Sequence, residues 1–223
     1  MKIYFDGCSW TEGAELEKPE EERFSRLVCQ EFDAEEKNIS QGGGSNERII
    51  RNMMVSKNIE EYDLAVIQMT FPARTEYYSG IPLRKDVVPS GWISVNPKYN
   101  FSRMLSMLKQ KQIEEEMLSL KGVWEKLHSK FLSHKKFWND YYRTITTKEF
   151  FETKEKIQKQ TIENHCQVKG VPLVICTINP WTKETFDVQL NRKNLPTHRF
   201  CHPTKEGHRT LADKIIRTAK IKL

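Results

Sequence analysis

The chain has 223 residues, and its 36 Lys and Arg against 30 Asp and Glu give a formal net charge of +6. That length is enough for one domain with a buried core, and 11 Phe, 7 Tyr and 5 Trp argue against wholesale disorder. No apolar run approaches the roughly 18 residues of a membrane-spanning helix, and the first residues lack the features of a signal peptide. Five scattered cysteines without a CxxC pair favour a reducing compartment. We therefore expect a cytoplasmic protein, in the host cytoplasm if the chain is viral.

Short β-prone runs alternate with amphipathic segments along most of the chain. Residues 64–69 (LAVIQM) form a nearly continuous apolar run, which is typical of a strand covered on both faces. Residues 20–32 place their apolar side chains on one helical face. The predicted strands are residues 2–5, 37–39, 64–69 and 172–178. The predicted helices are residues 20–32, a helix that begins at Ser45 or Asn46 as its N-cap, and residues 204–220.

Residues 99–169 interrupt this alternation. They are rich in Lys, Glu, Leu and aromatic residues and predict a helical insertion within a single domain of residues 1–223, with helices near 101–120, 122–139 and 148–166. The second half of the chain is basic, which permits contact with a polyanion. Its lysines are interleaved with glutamates, however, which favours a solvated helical face over nucleic-acid binding.

Alternating strands and helices predict an α/β fold, a three-layer flavodoxin-like sandwich with a parallel sheet between helices. In such sheets ligands bind at the carboxyl ends of the strands. Three loops of unusual composition follow predicted strands, at residues 7–10, 42–46 and 70–74. Together they predict one site at this edge of the sheet.

Two residues at opposite ends of the chain could carry nucleophilic chemistry. Ser9 follows the first predicted strand in a Gly-Cys-Ser turn, and His202 precedes the last predicted helix. A serine hydroxyl is a poor nucleophile until an imidazole within hydrogen-bond reach takes its proton. A strand-end serine and a pre-helix histidine can meet over a parallel sheet, although each residue taken alone is more often structural.

The same residues resemble the motif blocks of the SGNH (GDSL-like) hydrolases. That family places Gly-Asp-Ser after its first strand, a glycine after the second, Gly-x-Asn after the third, and Asp-x-x-His-Pro before the last helix. The corresponding segments here are Asp6-Gly7-Cys8-Ser9, Ser40-Gln41-Gly42-Gly43-Gly44-Ser45-Asn46, Thr70-Phe71-Pro72-Ala73-Arg74 and Arg199-Phe200-Cys201-His202-Pro203. The resemblance covers residues 1–75 and 170–223. It is closest to compact phage and bacterial members in which Gly-Cys-Ser replaces Gly-Asp-Ser.

The resemblance implies roles for individual residues. Ser9 would be the nucleophile, and His202 the general base and then the general acid. The backbone N–H groups of Ser9 and Gly43 would form the oxyanion hole. The side chains that could supply a further donor are those of Asn46, Thr70 and Arg74.

Two blocks depart from the family pattern. The acid expected three residues before the histidine is replaced by Arg199, and the asparagine of the third block is absent. An orienting carboxylate can be worth about 10⁴-fold in rate. Asp187 or His198 could replace it if the loop of residues 180–203 folds back.

The resemblance therefore implies a serine hydrolase that cleaves an ester, an acyl or acetyl group on a carbohydrate or small molecule. The alternative is a catalytically silent binding or accessory protein with the same fold, of phage origin. No cofactor is expected, and the histidine spacing fits no common zinc pattern. The expected partner is the ester substrate, without membrane or nucleic acid, and the oligomeric state is left open.

Overall fold

The computed structural model describes residues 1–55, 58–78, 92–95, 137, 140–142, 146–190, 195–198 and 202–223. The strands are β1 (Lys2–Asp6), β2 (Glu35–Asn38), β3 (Leu64–Met69), β4 (Thr75–Tyr78), β5 (Trp92–Val95), β6 (Leu173–Thr177) and β7 (Val188–Gln189). The helices are α1 (Ser9–Glu12), α2 (Pro19–Glu22), α3 (Phe24–Glu31), α4 (Asn46–Val55), α5 (Lys148–Lys169) and α6 (Lys205–Lys222), and a 3₁₀ turn spans Ile59–Glu61.

Five of these strands form one parallel sheet in the order β2-β1-β3-β6-β7. The register places Phe5 beside Val66 and Val66 beside Val174. This order confirms the predicted flavodoxin-like sandwich, with β1 inside the sheet. The edge strand β7 has only two residues and lies in the segment predicted to be a loop. β4 and β5 form a separate antiparallel pair.

Helices cover both faces of the sheet because neighbouring strand residues point to opposite sides. Ile3 and Phe5 belong to one core cluster, and Tyr4 between them belongs to the other. The first cluster is completed by residues of α3 and α6, and the second by residues of α4 and α5. The carboxyl ends of β1, β3 and β6 therefore share one edge between the two helical layers.

The helical predictions have three different outcomes. The predicted helix 20–32 is two helices, because Arg23 has extended backbone angles (φ −65°, ψ 147°) and directs its guanidinium to Glu36 at 3.0 Å. The predicted helix 148–166 is present as α5, with Thr147 as its N-cap and Gly170 as its C-cap. The helices predicted near 101–120 and 122–139 lie outside the described residues, apart from residue 137. Within the part of the chain that is described, no helix is long and apolar enough to cross a membrane.

Candidate active site

Ser9 lies at the carboxyl end of β1, where it is the first residue of α1. The turn before it requires glycine at position 7, because a Cβ there would lie 2.2 Å from Thr11 Oγ1 and 3.0 Å from Gln68 Cβ. Gln68 Oε1 accepts hydrogen bonds from the Cys8 backbone N–H at 3.2 Å and from Thr11 Oγ1 at 3.1 Å. The turn is thus fixed by a side chain of β3, while the Ser9 side chain remains partly exposed.

Cys8 faces away from the site. Its side chain is fully buried in the core cluster between the sheet, α3 and α6. Its Sγ lies 3.2 Å from Gln68 Oε1. Cys8 is therefore a core residue, and Ser9 is the nucleophile candidate of this turn.

His202 reaches Ser9 from the far end of the sequence. Its Nε2 lies 2.9 Å from Ser9 Oγ. The backbone around it is fixed by a hydrogen bond from the His198 N–H to the His202 carbonyl at 2.7 Å and by one from Thr204 N–H to the Pro196 carbonyl at 3.0 Å. The structure thus brings together the two residues on which the hydrolase hypothesis depends.

The second ring nitrogen of His202 contacts a carboxylate that the sequence reasoning did not identify. Nδ1 lies 2.8 Å from Glu15 Oε2, and about a fifth to a quarter of each side chain is exposed (20% for His202, 25% for Glu15). Asp187, considered for this role, instead pairs with Lys222 at 2.6 Å. His198 contributes only its backbone to His202, and its buried Nε2 has no hydrogen-bond partner in the described part of the chain.

The second loop passes beside Ser9 as a glycine turn, Gly42–Gly44. A Cβ on Gly42 would lie 2.8 Å from Glu12 Oε2 and 3.9 Å from Ser9 Cβ. Gly43 has φ +75°, in the left-handed region that favours glycine, and a Cβ there would meet nothing within 4 Å. The predicted oxyanion residue therefore lies in a turn adjacent to the nucleophile.

A buried ion pair anchors this glycine turn to β1. Arg48 Nη1 lies 2.7 Å from Asp6 Oδ1, and neither side chain is more than a tenth exposed. Arg48 also donates to Gln41 Oε1 at 2.9 Å and to the Ile39 carbonyl. Burial raises the pKa of the Asp6 carboxyl, while Arg48 and the Asn52 amide act in the opposite direction. The pair fixes the second loop relative to the strand that carries Ser9.

Asn46 and Thr70 join the second loop to the third. Asn46 Oδ1 accepts from the Thr70 N–H at 2.8 Å, and its Nδ2 donates to the Thr70 carbonyl at 3.2 Å and to Gln158 Oε1 at 2.9 Å. The amide of Asn46 is thus committed to these contacts. Thr70 Oγ1 is buried and makes no hydrogen bond to any described residue.

Arg74 supports the glycine turn from the other side. Its side chain is 7% exposed, and Nη1 donates to the Gly44 carbonyl at 3.1 Å. The guanidinium lies 5.6 Å from the centroid of the Phe71 ring. The nearby carboxylate of Glu76 pairs with Arg51 at 2.9 Å rather than with Arg74.

Glu15 had only a weak sequence signal. It lies in an acid-rich segment, EGAELEKPEEE, in which any of several carboxylates could have reached the site. Gly13, with φ +86°, ends α1 in a left-handed turn, and Glu15 itself has φ +71°. A glycine shortly after the nucleophile can indicate that the chain folds back, but it does not select the acid. Across the described residues, no group of three or more His, Cys, Asp or Glu side chains is arranged to hold a metal ion.

No protein-family model matches the chain, and no curated protein matches it. Among solved structures it is similar to the psychrotrophic esterase EstA from Pseudoalteromonas sp. (10% identity, 99% of this chain and 97% of that chain covered, TM-score 0.49). It is also similar to Axe2, an acetyl-xylooligosaccharide esterase from Geobacillus (11%, 97% and 93%, TM-score 0.41), and to a proposed SGNH hydrolase from Slackia heliotrinireducens (11%, 98% and 98%, TM-score 0.38).

The observed fold agrees with the resemblance that the sequence motifs carry. The sheet order, the serine directly after β1 and the histidine before the last helix follow the arrangement that the resemblance implies. The class defined by the fold and the site is an α/β protein with a serine–histidine pair at the carboxyl edge of its sheet.

Proposed function

We propose that the chain is a serine hydrolase that cleaves an ester of a carbohydrate or small molecule. The observation that carries the proposal is the 2.9 Å contact between Ser9 Oγ and His202 Nε2. That distance lies within the range in which an imidazole can take the proton of an attacking hydroxyl. The partly exposed serine side chain allows a substrate to approach.

The reaction would follow the two steps of acyl transfer. Ser9 Oγ attacks the ester carbonyl carbon while His202 Nε2 takes the hydroxyl proton, and the same proton then passes to the departing alcohol. Water then hydrolyses the acyl-enzyme: His202 takes a proton from the attacking water and returns it to Ser9 Oγ as the acid departs. The negative oxygen of the intermediate would lie between the backbone N–H groups of Ser9 and Gly43, and each such donor is worth about 3 to 4 kcal/mol. The preference for an ester over an amide is what the SGNH resemblance implies.

A fluorophosphonate probe tests the nucleophile directly. Wild-type protein should be labelled at Ser9, and the Ser9→Ala and His202→Ala variants should lose labelling and about 10⁴-fold or more of kcat on p-nitrophenyl acyl esters. Ser40→Ala is the matched control, since the Ser40 hydroxyl contacts the Asn38 side chain and no imidazole. If wild type is not labelled and hydrolyses no ester in a panel of chain lengths, the hydrolase proposal is wrong.

A silent binding protein is the second candidate, and the contacts of the second and third loops favour it. Asn46 and Arg74, two of the three side chains considered as additional oxyanion donors, are engaged with Thr70 and Gly44 instead. An oxyanion hole of two backbone donors alone would be weaker than one completed by a side chain. This candidate predicts that the Ser9→Ala variant keeps the full biological phenotype.

A further inference from the structure

The contacts of the two His202 nitrogens define a chain of three groups. Glu15 Oε2 lies 2.8 Å from Nδ1, and Ser9 Oγ lies 2.9 Å from Nε2. A carboxylate can only accept a hydrogen bond, so its contact places the ring proton on Nδ1. Nε2 then presents its lone pair to the Ser9 hydroxyl, which is the tautomer that a general base needs.

We propose that Glu15 is the positioning carboxylate of His202, supplied by the segment that carries the nucleophile. The inference rests on the proposed serine hydrolase function. It departs from the arrangement that the resemblance implies, in which an acid precedes the histidine by three residues. That position is Arg199 in this chain. The histidine and its acid therefore come from opposite ends of the sequence.

The backbone of residues 9–15 holds the carboxylate at a fixed position relative to the nucleophile. The carbonyl of Ser9 accepts hydrogen bonds from the Gly13 N–H at 3.1 Å and the Ala14 N–H at 2.9 Å. The chain turns back at Gly13 and again at Glu15, whose φ of +71° lies in a region that non-glycine residues rarely adopt. Such strain persists only where the surroundings impose it, and it is concentrated at functional sites.

An ordinary surface ion pair would not explain both contacts. A surface pair needs no particular ring nitrogen and no third partner, whereas here one nitrogen faces the carboxylate and the other faces a hydroxyl. Asp187, the other acid considered, is held by Lys222 and by the Ile175 N–H at 2.8 Å.

Steady-state kinetics on p-nitrophenyl acetate provide the first test. Glu15→Gln and Glu15→Ala should lower kcat by about 10²- to 10⁴-fold and leave KM within about threefold, because the carboxylate touches the histidine rather than the substrate. Glu15→Asp should retain intermediate activity. Glu17→Gln, which removes the same charge from the same segment at an exposed position, should stay within about twofold of wild type. If the Glu15 variants keep kcat within threefold while Ser9→Ala is inactive, the role of Glu15 is refuted and the hydrolase function stands.

Chemical rescue separates positioning from a structural effect. Glu15→Gly removes the side chain at a left-handed position that glycine tolerates. Added formate should raise the kcat of this variant at least about tenfold with saturation and should leave Ser9→Ala inactive. A Glu15→Gly variant with native thermal stability and no response to formate would contradict the proposal.

A measurement that needs no turnover completes the test. ¹⁵N NMR of wild-type protein in mildly alkaline buffer should show His202 protonated at Nδ1, and Glu15→Ala should shift the ring toward a mixture of tautomers. An unchanged tautomer in Glu15→Ala overturns the positioning role even if no substrate is found. Absence of both probe labelling and ester hydrolysis, with the tautomer change present, would overturn the hydrolase function alone.

Discussion

His208 links the stability of the fold to pH. The ring lies at the start of α6, is fully buried and stacks on Phe24 with ring centroids 5.9 Å apart. Its Nδ1 accepts a hydrogen bond from the Phe24 N–H at 3.1 Å, which requires the neutral ring. Burial, together with His198 and His202, lowers the pKa of His208 to about 4, while the Glu22 carboxylate acts in the opposite direction.

Acid therefore destabilises the native state through this one ring. The unfolded chain has the ordinary histidine pKa of 6.5, so between pH 6.5 and about pH 4 it binds more protons than the native state. The stabilisation that the neutral ring provides is fully present above pH 6.5 and falls as the pH drops toward about 4. Below that pH the ring is protonated in both states, so no further stability is lost. The linkage relation gives a loss of about 2 kcal/mol between pH 7 and pH 5, and about 3 kcal/mol by pH 4.

Urea unfolding of two proteins at several pH values measures this loss. His208→Asn keeps an acceptor near the position of Nδ1 and cannot titrate, so it removes the contribution of the ring while preserving the contact to Phe24. From pH 7 to pH 5 the free energy of unfolding of wild type should fall by about 2 kcal/mol more than that of the variant. Parallel pH profiles for the two proteins would show that the buried ring is not the cause.

Three further substitutions test the scaffold and the edge of the site. Arg48→Met leaves the Asp6 carboxylate buried without its ion pair, so chemical denaturation should show a loss of about 3 to 5 kcal/mol. Gly207→Ala places a Cβ 2.5 Å from the Pro196 carbonyl oxygen, and should cost about 1 to 3 kcal/mol in unfolding experiments and lower kcat by displacing the His202 loop. Trp181→Ala removes a largely exposed ring that packs beside Phe71, with ring centroids 6.1 Å apart; KM for aryl esters should rise, at a stability cost of about 0.5 to 1.5 kcal/mol.

Local patterns predicted four of the five strands of the sheet, because each of those four carries its own sequence signal. Strands β3 and β6 are covered on both faces, and a strand of this kind is recognisable from the continuous apolar run in its own sequence. The sequence did not predict that the helix 20–32 is interrupted at Arg23, because the interruption depends on an ion pair between Arg23 and Glu36 on β2. The two-residue β7 carries too few side chains to give any pattern.

The sequence predicted those site residues whose positions follow from the order of strands and helices along the chain. Ser9 and His202 follow from their places at a strand end and before a helix, which the topology brings to one edge. Asn46 was identified as a polar residue of this edge, but its contacts to Thr70 depend on how two loops meet. Glu15 was missed because its contact needs left-handed backbone at Gly13 and at Glu15 itself, and sequence indicates only the first.

Glu15 lies outside the loop that carries His202, so the carboxylate and the loop can be perturbed separately. Main-chain hydrogen bonds to Pro196 and His198 fix the backbone around His202, and Glu15 fixes only its ring. Loss of the carboxylate should therefore release the imidazole without unfolding the loop, so kcat should fall at unchanged stability. Displacement of the loop by Gly207→Ala should lower both kcat and stability while the carboxylate is still present. Because both substitutions act on His202, their effects on kcat should be less than multiplicative, and the stability of the double variant should match that of Gly207→Ala within about 0.5 kcal/mol.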